Sequence, residues 1–395
     1  MKKVILVLTC LLLVKAVGAQ SIEPAVENPT LIVDKVECEG NQKTQCEFIT
    51  AEVYLQLGQP FIEEEIENAK LRLKLKNLFE SVNIYLKKAN IRNHIIVIIE
   101  VVEKNSNFQF TEFNHWKSSE GSSSKLEVNF GNRNLFGLGK SLIGTIGMNN
   151  IEGENNQNIS GGISYLDPHI LGAKNYFFAA SLKSNKSNNR FVDENSSIYS
   201  FNHETVYALS VGRRLFDFSY FSLGTTVDSY EMMNNNSDKL TSNTKTHTMS
   251  YGWNTEDDVY FATTGDKFQV NYSEAFSQNT KLSDMQMIHY EKNFRLSNAH
   301  SFLLGGRVFG HKANYEYDGC VNCYSVNSAF DLKYNYQLFE EYQNKEKWFQ
   351  RGKLYYGLSP SFSESYNFVT HEVGFVFDSK NLGIIKISLS LWNLL

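Results

Sequence analysis

The sequence predicts a small α+β domain followed by an all-β transmembrane barrel. Three observations predict it. Residues 31–103 mix helical and strand periodicity, whereas from Asn107 onward no helical period remains. Aromatics make up 13% of the chain, with 21 Tyr and 28 Phe, while Pro numbers only 5 and mean hydropathy is −0.34. Many aromatics, few prolines and modest hydropathy suit a large β-structure with one apolar and one polar face. After Ala19, polar or charged residues interrupt every apolar run. A membrane crossing is then open only to a closed barrel, which also satisfies its backbone in lipid.

The first residues read as a secretory signal peptide over 1–19. Met1-Lys2-Lys3 is a basic start, Val4 to Val14 an apolar core, and Val17-Gly18-Ala19 a small-residue cleavage site. The core is shorter than the roughly 20 residues a span needs. Cleavage takes Lys2, Lys3 and Lys15 from 38 basic residues and none from 43 acidic ones, so the formal charge moves from −5 to −8. That balance argues against nucleic acid as a partner. Residues 20–30 read as a linker. Four cysteines remain as two local pairs, Cys38 with Cys46 and Cys320 with Cys323, and local pairs in an exported chain read as disulfides. Cys320-Val321-Asn322-Cys323 has the spacing of a redox or metal motif. It stands among Tyr, Asp, Gly and Asn with no second C-x-x-C, which favours a loop-pinning disulfide.

The first domain spans 31–104. Leu31 to Val36 is a strand ended by Gly40-Asn41. Thr44 to Leu57 is a helix stopped by Gly58 and Pro60. Glu63 to Leu78 is a second helix: Ile66, Ala69, Leu73 and Leu78 fall near one face, and Glu63-Glu64-Glu65 suits its positive N-terminus. Val82 to Leu86 alternates as a strand. Ile95 to Val102 is apolar enough to be a central strand.

The barrel spans 107–395. Alternating segments include Lys125–Phe130, Ser141–Met148, Tyr176–Leu182, Thr205–Val211, Phe218–Val227, Phe268–Phe276, Phe302–Phe309, Phe330–Tyr336, Lys353–Leu358, Glu372–Phe377 and Ile385–Leu391. About fifteen such segments can be counted; at roughly 18 residues per strand with its turn the span gives about 16 strands. Even numbers prevail in bacterial barrels, so 16 antiparallel strands are expected, with 14 as the alternative. A soluble β-sandwich would alternate too. Against it, aromatics cluster near segment ends, as in Tyr176-Phe177-Phe178, Tyr220-Phe221 and Trp348-Phe349, which fits interfacial girdles. Short connections such as "NLFGLG" and "DPHILG" contrast with long polar ones expected at 183–199 and 229–246.

Motifs for chemistry are lacking. There is no G-x-x-x-x-G-K-[ST], no H-E-x-x-H and no G-x-S-x-G, and the nine His are scattered. Asp257-Asp258 reads as a solvated turn, since adjacent strand residues face opposite sides of a sheet. No catalytic residue, metal or cofactor is expected, and the chain is not read as an enzyme.

The first domain resembles a POTRA domain, the periplasmic repeat of outer-membrane assembly and secretion proteins. The likeness rests on the Val36 strand ending in Gly40-Asn41, Gly58-Gln59-Pro60-Phe61, Ala69-x-x-x-Leu73, Leu78-Phe79-x-x-Val82 and Val101-Val102-Glu103. The second half resembles barrels of the BamA/TamA superfamily. Three stretches carry that likeness: "NRNLFGLGKSL", "SYLDPHILG" (Ser164 to Gly172) and "NTEDDVYFATTG" (Asn254 to Gly265). Within them Asn134, Leu135, Phe136, Gly137, Gly139, Asp167, Pro168, Gly172, Asp257 and Gly265 are the family-motif turn residues. Gly131 to Leu142 is expected as a periplasmic turn, with Leu135, Phe136 and Leu138 at the lipid–water boundary. Three departures stand out. The family's Val-Arg-Gly-Phe/Tyr loop motif is absent, Arg351-Gly352 lying one segment too late. The chain ends "LWNLL", and there is one POTRA unit.

The resemblance implies a bacterial outer-membrane protein that assists insertion, assembly or translocation of other polypeptides, with its POTRA domain in the periplasm. Its partners would be unfolded or exported outer-membrane polypeptides, outer-membrane lipids, and chaperones or accessory proteins at the POTRA domain. Polypeptide binding would fall to the strand Val82, Asn83, Ile84, Tyr85 and Leu86 by β-augmentation. A weak seam would be formed between a first strand carrying Phe108, Phe110 and Phe113 and a last strand carrying Gly383, Ile385, Ile387, Leu389 and Leu391. Alternatives are a passive pore, a dedicated secretion transporter, and a surface adhesin or antigen working through the polar loops.

Overall fold

The computed structural model describes residues 31–394 apart from 119–120, 152–157, 187–189, 193–197, 217, 235–238, 279, 314–323, 339–348, 363–366 and 380–382. The expected signal peptide (1–19), the linker (20–30) and the pair Cys320 and Cys323 lie outside the described residues.

The N-terminal domain runs β1 (Ile32–Glu39), α1 (Cys46–Val53), α2 (Glu64–Leu75), β2 (Phe79–Lys88) and β3 (His94–Glu103). Its sheet has the order β1-β3-β2, with β3 parallel to β1 and antiparallel to β2. The apolar run of β3 is central, and Val97, Ile99 and Val101 meet Phe48, Ile49 and Val53 of α1 and Leu73 of α2 in one core. Cys38 and Cys46 are joined, tying the end of β1 to the start of α1. Both helices are shorter than the sequence suggests. Tyr54 adopts a left-handed conformation (φ 60°) that ends α1. Buried Arg72 donates to the carbonyls of Glu52 (2.9 Å) and Val53 (2.7 Å), satisfying the freed end of that helix.

The barrel contains β4 (Asn107–Ser118), β5 (Gly121–Leu135), β6 (Lys140–Ile151), β7 (Asn158–Asp167), β8 (Tyr176–Lys186), β10 (Ile198–Phe216), β11 (Ser219–Asn234), β12 (Lys239–Asn254) and β13 (Gly265–Ser277). It continues with β14 (Thr280–Arg295), β15 (His300–Ala313), β16 (Tyr324–Leu338), β17 (Phe349–Phe362), β18 (Asn367–Ser379) and β19 (Gly383–Leu394). A short strand, β9 (Arg190–Val192), pairs with the start of β10 at the end of the sheet order. Fifteen strands close the ring, between the sixteen and fourteen expected and equal to the segments counted. An odd ring makes its first and last strands run the same way, so β19 pairs with β4 in parallel.

Side chains alternate across the wall. On β16, Ala329, Asp331, Asn335 and Gln337 are buried inward, while Val326, Phe330, Leu332 and Tyr336 face out. Tyr207, Leu209 and Val211 on β10, Leu354 and Tyr356 on β17, and Ile387, Leu389 and Leu391 on β19 are 41% to 57% exposed. A continuous apolar exterior of this kind suits lipid, not water. No helix among the described residues is long and apolar enough to cross a membrane. Aromatics gather at one rim: Trp253 stacks on Phe268 (4.3 Å), and Tyr334 packs against His300 and Phe302.

The described residues of the polar stretches 183–199 and 229–246 are strand rather than loop. Within them β8, β9 and β10, and β11 and β12, continue as paired strands. Beyond the lipid a strand needs only its ladder, so Ser, Thr and Asn serve there as well as apolar residues, and the hydropathy pattern lost them.

Candidate functional site at the rim and the closing strands

Two of the motif turns dock on α1. The turn between β5 and β6 needs left-handed backbone at Phe136, Gly137 and Gly139 (φ 59°, 74° and 65°). It also needs their emptiness: a Cβ on Gly137 would meet the Lys43 carbonyl, and one on Gly139 the Phe48 ring. The Gln45 N–H donates to the Gly137 carbonyl (2.9 Å) and its side-chain amide to that of Phe136 (2.8 Å). Asn134, buried, donates to Thr44 Oγ1 (2.8 Å) and accepts from the Gly139 N–H (2.8 Å). Leu135, Phe136 and Leu138 therefore stand at a domain joint rather than simply at a lipid boundary. In the turn after β7, Asp167 pairs with Lys140 (3.0 Å) and accepts from the His169 N–H (3.1 Å). Pro168 to Gly172 leads into a single 3-10 turn at Ile170–Gly172, with Gly172 at φ 77°. The His169 ring packs on Phe48 (5.4 Å).

Glu52 is the hub of this joint. It is 1% exposed on α1, with Lys76 Nζ at 2.9 Å, His169 Nε2 at 3.0 Å and Arg214 Nη1, at the end of β10, at 2.8 Å from both carboxylate oxygens. Burial by itself pushes this carboxyl up. Lys76, His169 and Arg214 outweigh burial and hold it well below the usual carboxylate range.

The third motif stretch crosses the lumen. Residues 255–264 leave β12 at the rim that faces the first domain and return to β13. Asp257 braces the loop from within, accepting from the Thr263 N–H (2.8 Å), the Thr264 N–H (3.1 Å) and Arg295 (3.0 Å). Asp258 accepts from the N–H groups of Tyr260 (2.9 Å) and Phe261 (3.1 Å) and from Arg351 of β17 (3.0 Å). Asp257-Asp258 is thus a turn, but it is not simply solvated. Phe261, 6% exposed, forms a buried cluster with Tyr355 and Val376, against which Ile384 packs. Gly265 (φ 96°) restarts the wall at β13, where a Cβ would meet the Thr255 carbonyl.

At the closure, β19 and β4 hold a register of eight residue pairs, Ile384↔Phe110 to Leu391↔Lys117. The ladders on either side hold twelve each. Inward, Lys386 pairs with Glu112 (2.7 Å) and Ser388 with Asn114; outward, Ile387 stands beside Phe113. Gly383 precedes this register, and Ile385, Leu389 and Leu391 lie within it. Phe108 lies outside it, its ring under Arg133 (3.7 Å).

In the first domain, β2 is a sheet edge. The other edge, β1, is partly covered: Gly58 and Phe61 N–H groups donate to Val33 and Leu31, and the Val33 N–H donates to Gln59. On β2, Val82 and Ile84 point into the core, while Asn83, Tyr85 and Leu86 are exposed.

Residues 31–104 match the family model of POTRA, described as a surface antigen variable number repeat. The chain superposes on CdiB from Acinetobacter baumannii at TM-score 0.61 and 11% identity, covering 89% of this chain and 68% of that one. The fold shared with CdiB is a barrel, here behind a POTRA-type domain. BamA from Haemophilus ducreyi lacking POTRA domains 1-3 matches at TM-score 0.47 and 12% identity, over 92% of this chain and 81% of that one. CdiB from Escherichia coli matches at TM-score 0.49 and 8% identity, over 92% and 87%. No curated protein matches in sequence.

Between the POTRA domain and its barrel lie contacts that sequence reasoning missed: Glu52, Lys76 and Arg214 carry no motif. Lys76 and Arg214 are remote from Glu52 in sequence, and only the fold brings them together. Arg351 stands out in the sequence only for its dipeptide with Gly352; its partner Asp258, 93 residues earlier, is carried to it by the loop that crosses the lumen.

Proposed function

We propose that this protein assists the insertion, assembly or translocation of other polypeptides at the bacterial outer membrane, with its POTRA domain in the periplasm. The carrying observation is the closure: the shortest register among the described ring ladders joins the first and last strands. Among those ring ladders it is the parallel one, and parallel pairing is slightly weaker per residue. Strand edges unpaired in lipid are costly, so an opened β4/β19 seam would favour an incoming strand. The open β2 edge, with Val82, Asn83, Ile84, Tyr85 and Leu86, would hold the polypeptide beforehand by β-augmentation. Binding and templating suffice for this work, and it needs no catalytic group. Lipids contact the apolar exterior; accessory proteins would meet the exposed POTRA surface.

The test is a disulfide across the seam. Phe113→Cys with Ile387→Cys joins register partners on the lipid side. Locking is expected to stop assembly of client barrels, and reduction to restore it. Unchanged client assembly under the lock would sink the seam mechanism. Proteomics of outer membranes after depletion separates the two forms of the reading: several barrel proteins fall if the role is general, one exported protein if it is a dedicated transporter.

A further inference from the structure

We infer that the lumenal loop 255–264 is a strap that holds the seam shut from inside, and that strand exchange at the seam requires its release. The regulatory role rests on the seam reading above; the strap's mechanical effect does not.

The loop spans the barrel from β12 and β13 to the closing strands, and its contacts fall on both sides of the closure. On the β4 side, Tyr260 stacks on Phe110 (ring centroids 5.5 Å, 21° between planes). Its hydroxyl accepts from Arg133 of β5 (2.6 Å), whose guanidinium also covers Phe108. On the other side, Phe261 is buried in a cluster with Tyr355 of β17 and Val376 of β18, and Ile384 of β19 packs against that cluster. Arg351 sits over the Phe261 ring (4.3 Å) while pairing with Asp258. Phe110 and Ile384 are themselves register partners. Two consecutive aromatics of the loop thus bear on the first pair of the seam, Tyr260 directly on Phe110 and Phe261 through the cluster that Ile384 packs against.

The two halves of the clasp are coupled through one carboxylate. Asp258 fixes the turn that presents Tyr260 and Phe261 by accepting both of their N–H groups, and it anchors that turn to the wall through Arg351. Separating β4 from β19 must therefore either pull Tyr260 off Phe110 or drag Phe261 out of its pocket. Aromatic contacts and a charge-assisted hydrogen bond then resist the opening, in addition to the eight-residue ladder.

The test is hydrogen exchange on the full-length protein folded in lipid, without any client. Tyr260→Ala with Phe261→Ala, and separately Asp258→Asn, are expected to raise exchange of amides 110–117 and 384–391 by roughly tenfold or more, leaving β8 to β14 unchanged. A second arm bridges cysteines at positions 260 and 110 with a short bis-maleimide, in a background with Cys320→Ser and Cys323→Ser. That tether is expected to slow seam exchange below wild type. Variants that fold, by heat-modifiable migration, but leave seam exchange unchanged overturn the strap. If seam exchange rises while client assembly is unaffected, the strap stands and the seam role in assembly fails.

Discussion

Glu52 shows how much one side chain decides in this molecule. Its carboxylate is buried and meets three cationic or protonatable groups, Lys76 from its own domain and His169 and Arg214 from the barrel. Glu52→Gln keeps the shape and removes the charge, leaving Lys76 and Arg214 facing each other. Removing one partner of such a buried cluster costs about 3 kcal/mol. Proteolysis in the 104–106 segment between the domains is expected to speed up by roughly a hundredfold, with barrel migration on gels unchanged. The same joint carries a pH dependence. In the folded protein the carboxyl is held below its ordinary value, so its contribution is complete above the unfolded value of about 4.3. It is lost only as pH falls from there toward the depressed folded value. Proteolysis of the joint should stay flat from pH 8 to about 5 and rise below about 4; a rise between 7 and 6 would contradict Glu52 as the controlling group. None of this was legible beforehand. An acidic residue within a helix reads as a solvated face until its neighbours arrive from elsewhere in the chain.

At the scale of elements, what could be read and what could not divide along a physical line. Leu73, Ala69 and the apolar run of β3 were legible because a local period implies a buried face. The glycines of "NRNLFGLGKSL" were legible as a turn, because left-handed backbone is a local property. Their second constraint, the closeness of Lys43 and Phe48, is non-local and was not. It makes a sharp prediction. Gly139→Ala combines a positive φ with a Cβ inside the Phe48 ring. It should cost about 1–3 kcal/mol, more than strain alone. Gly172→Ala has a similar φ but nothing near its Cβ, so it reports strain by itself. If both variants loosen the POTRA joint equally in the same proteolysis assay, the Phe48 contact contributes nothing.

The whole molecule turns on strand parity. Alternating segments number about fifteen in the sequence, and the preference for even barrels pointed to sixteen; the ring has fifteen. Parity is invisible to hydropathy because each segment reads the same in either direction. It nevertheless sets the closure. With β4 leaving the POTRA domain and every other neighbour antiparallel, β19 must run as β4 does, so Leu394 lies at the rim opposite the POTRA domain. On the proposed reading the seam is weak for a topological reason, as the slanted parallel ladder among the otherwise antiparallel described ring ladders. This can be checked on whole cells. A cysteine placed at position 393, with Cys320→Ser and Cys323→Ser, should react with a membrane-impermeant maleimide added outside. A cysteine replacing exposed Leu171, at the POTRA-side rim, should react only after the outer membrane is opened. Labelling of both positions only after opening would mean that β19 closes antiparallel to β4. The seam would then lose its topological weakness, and opening would have to depend on the shortness of its register and on the strap across the lumen.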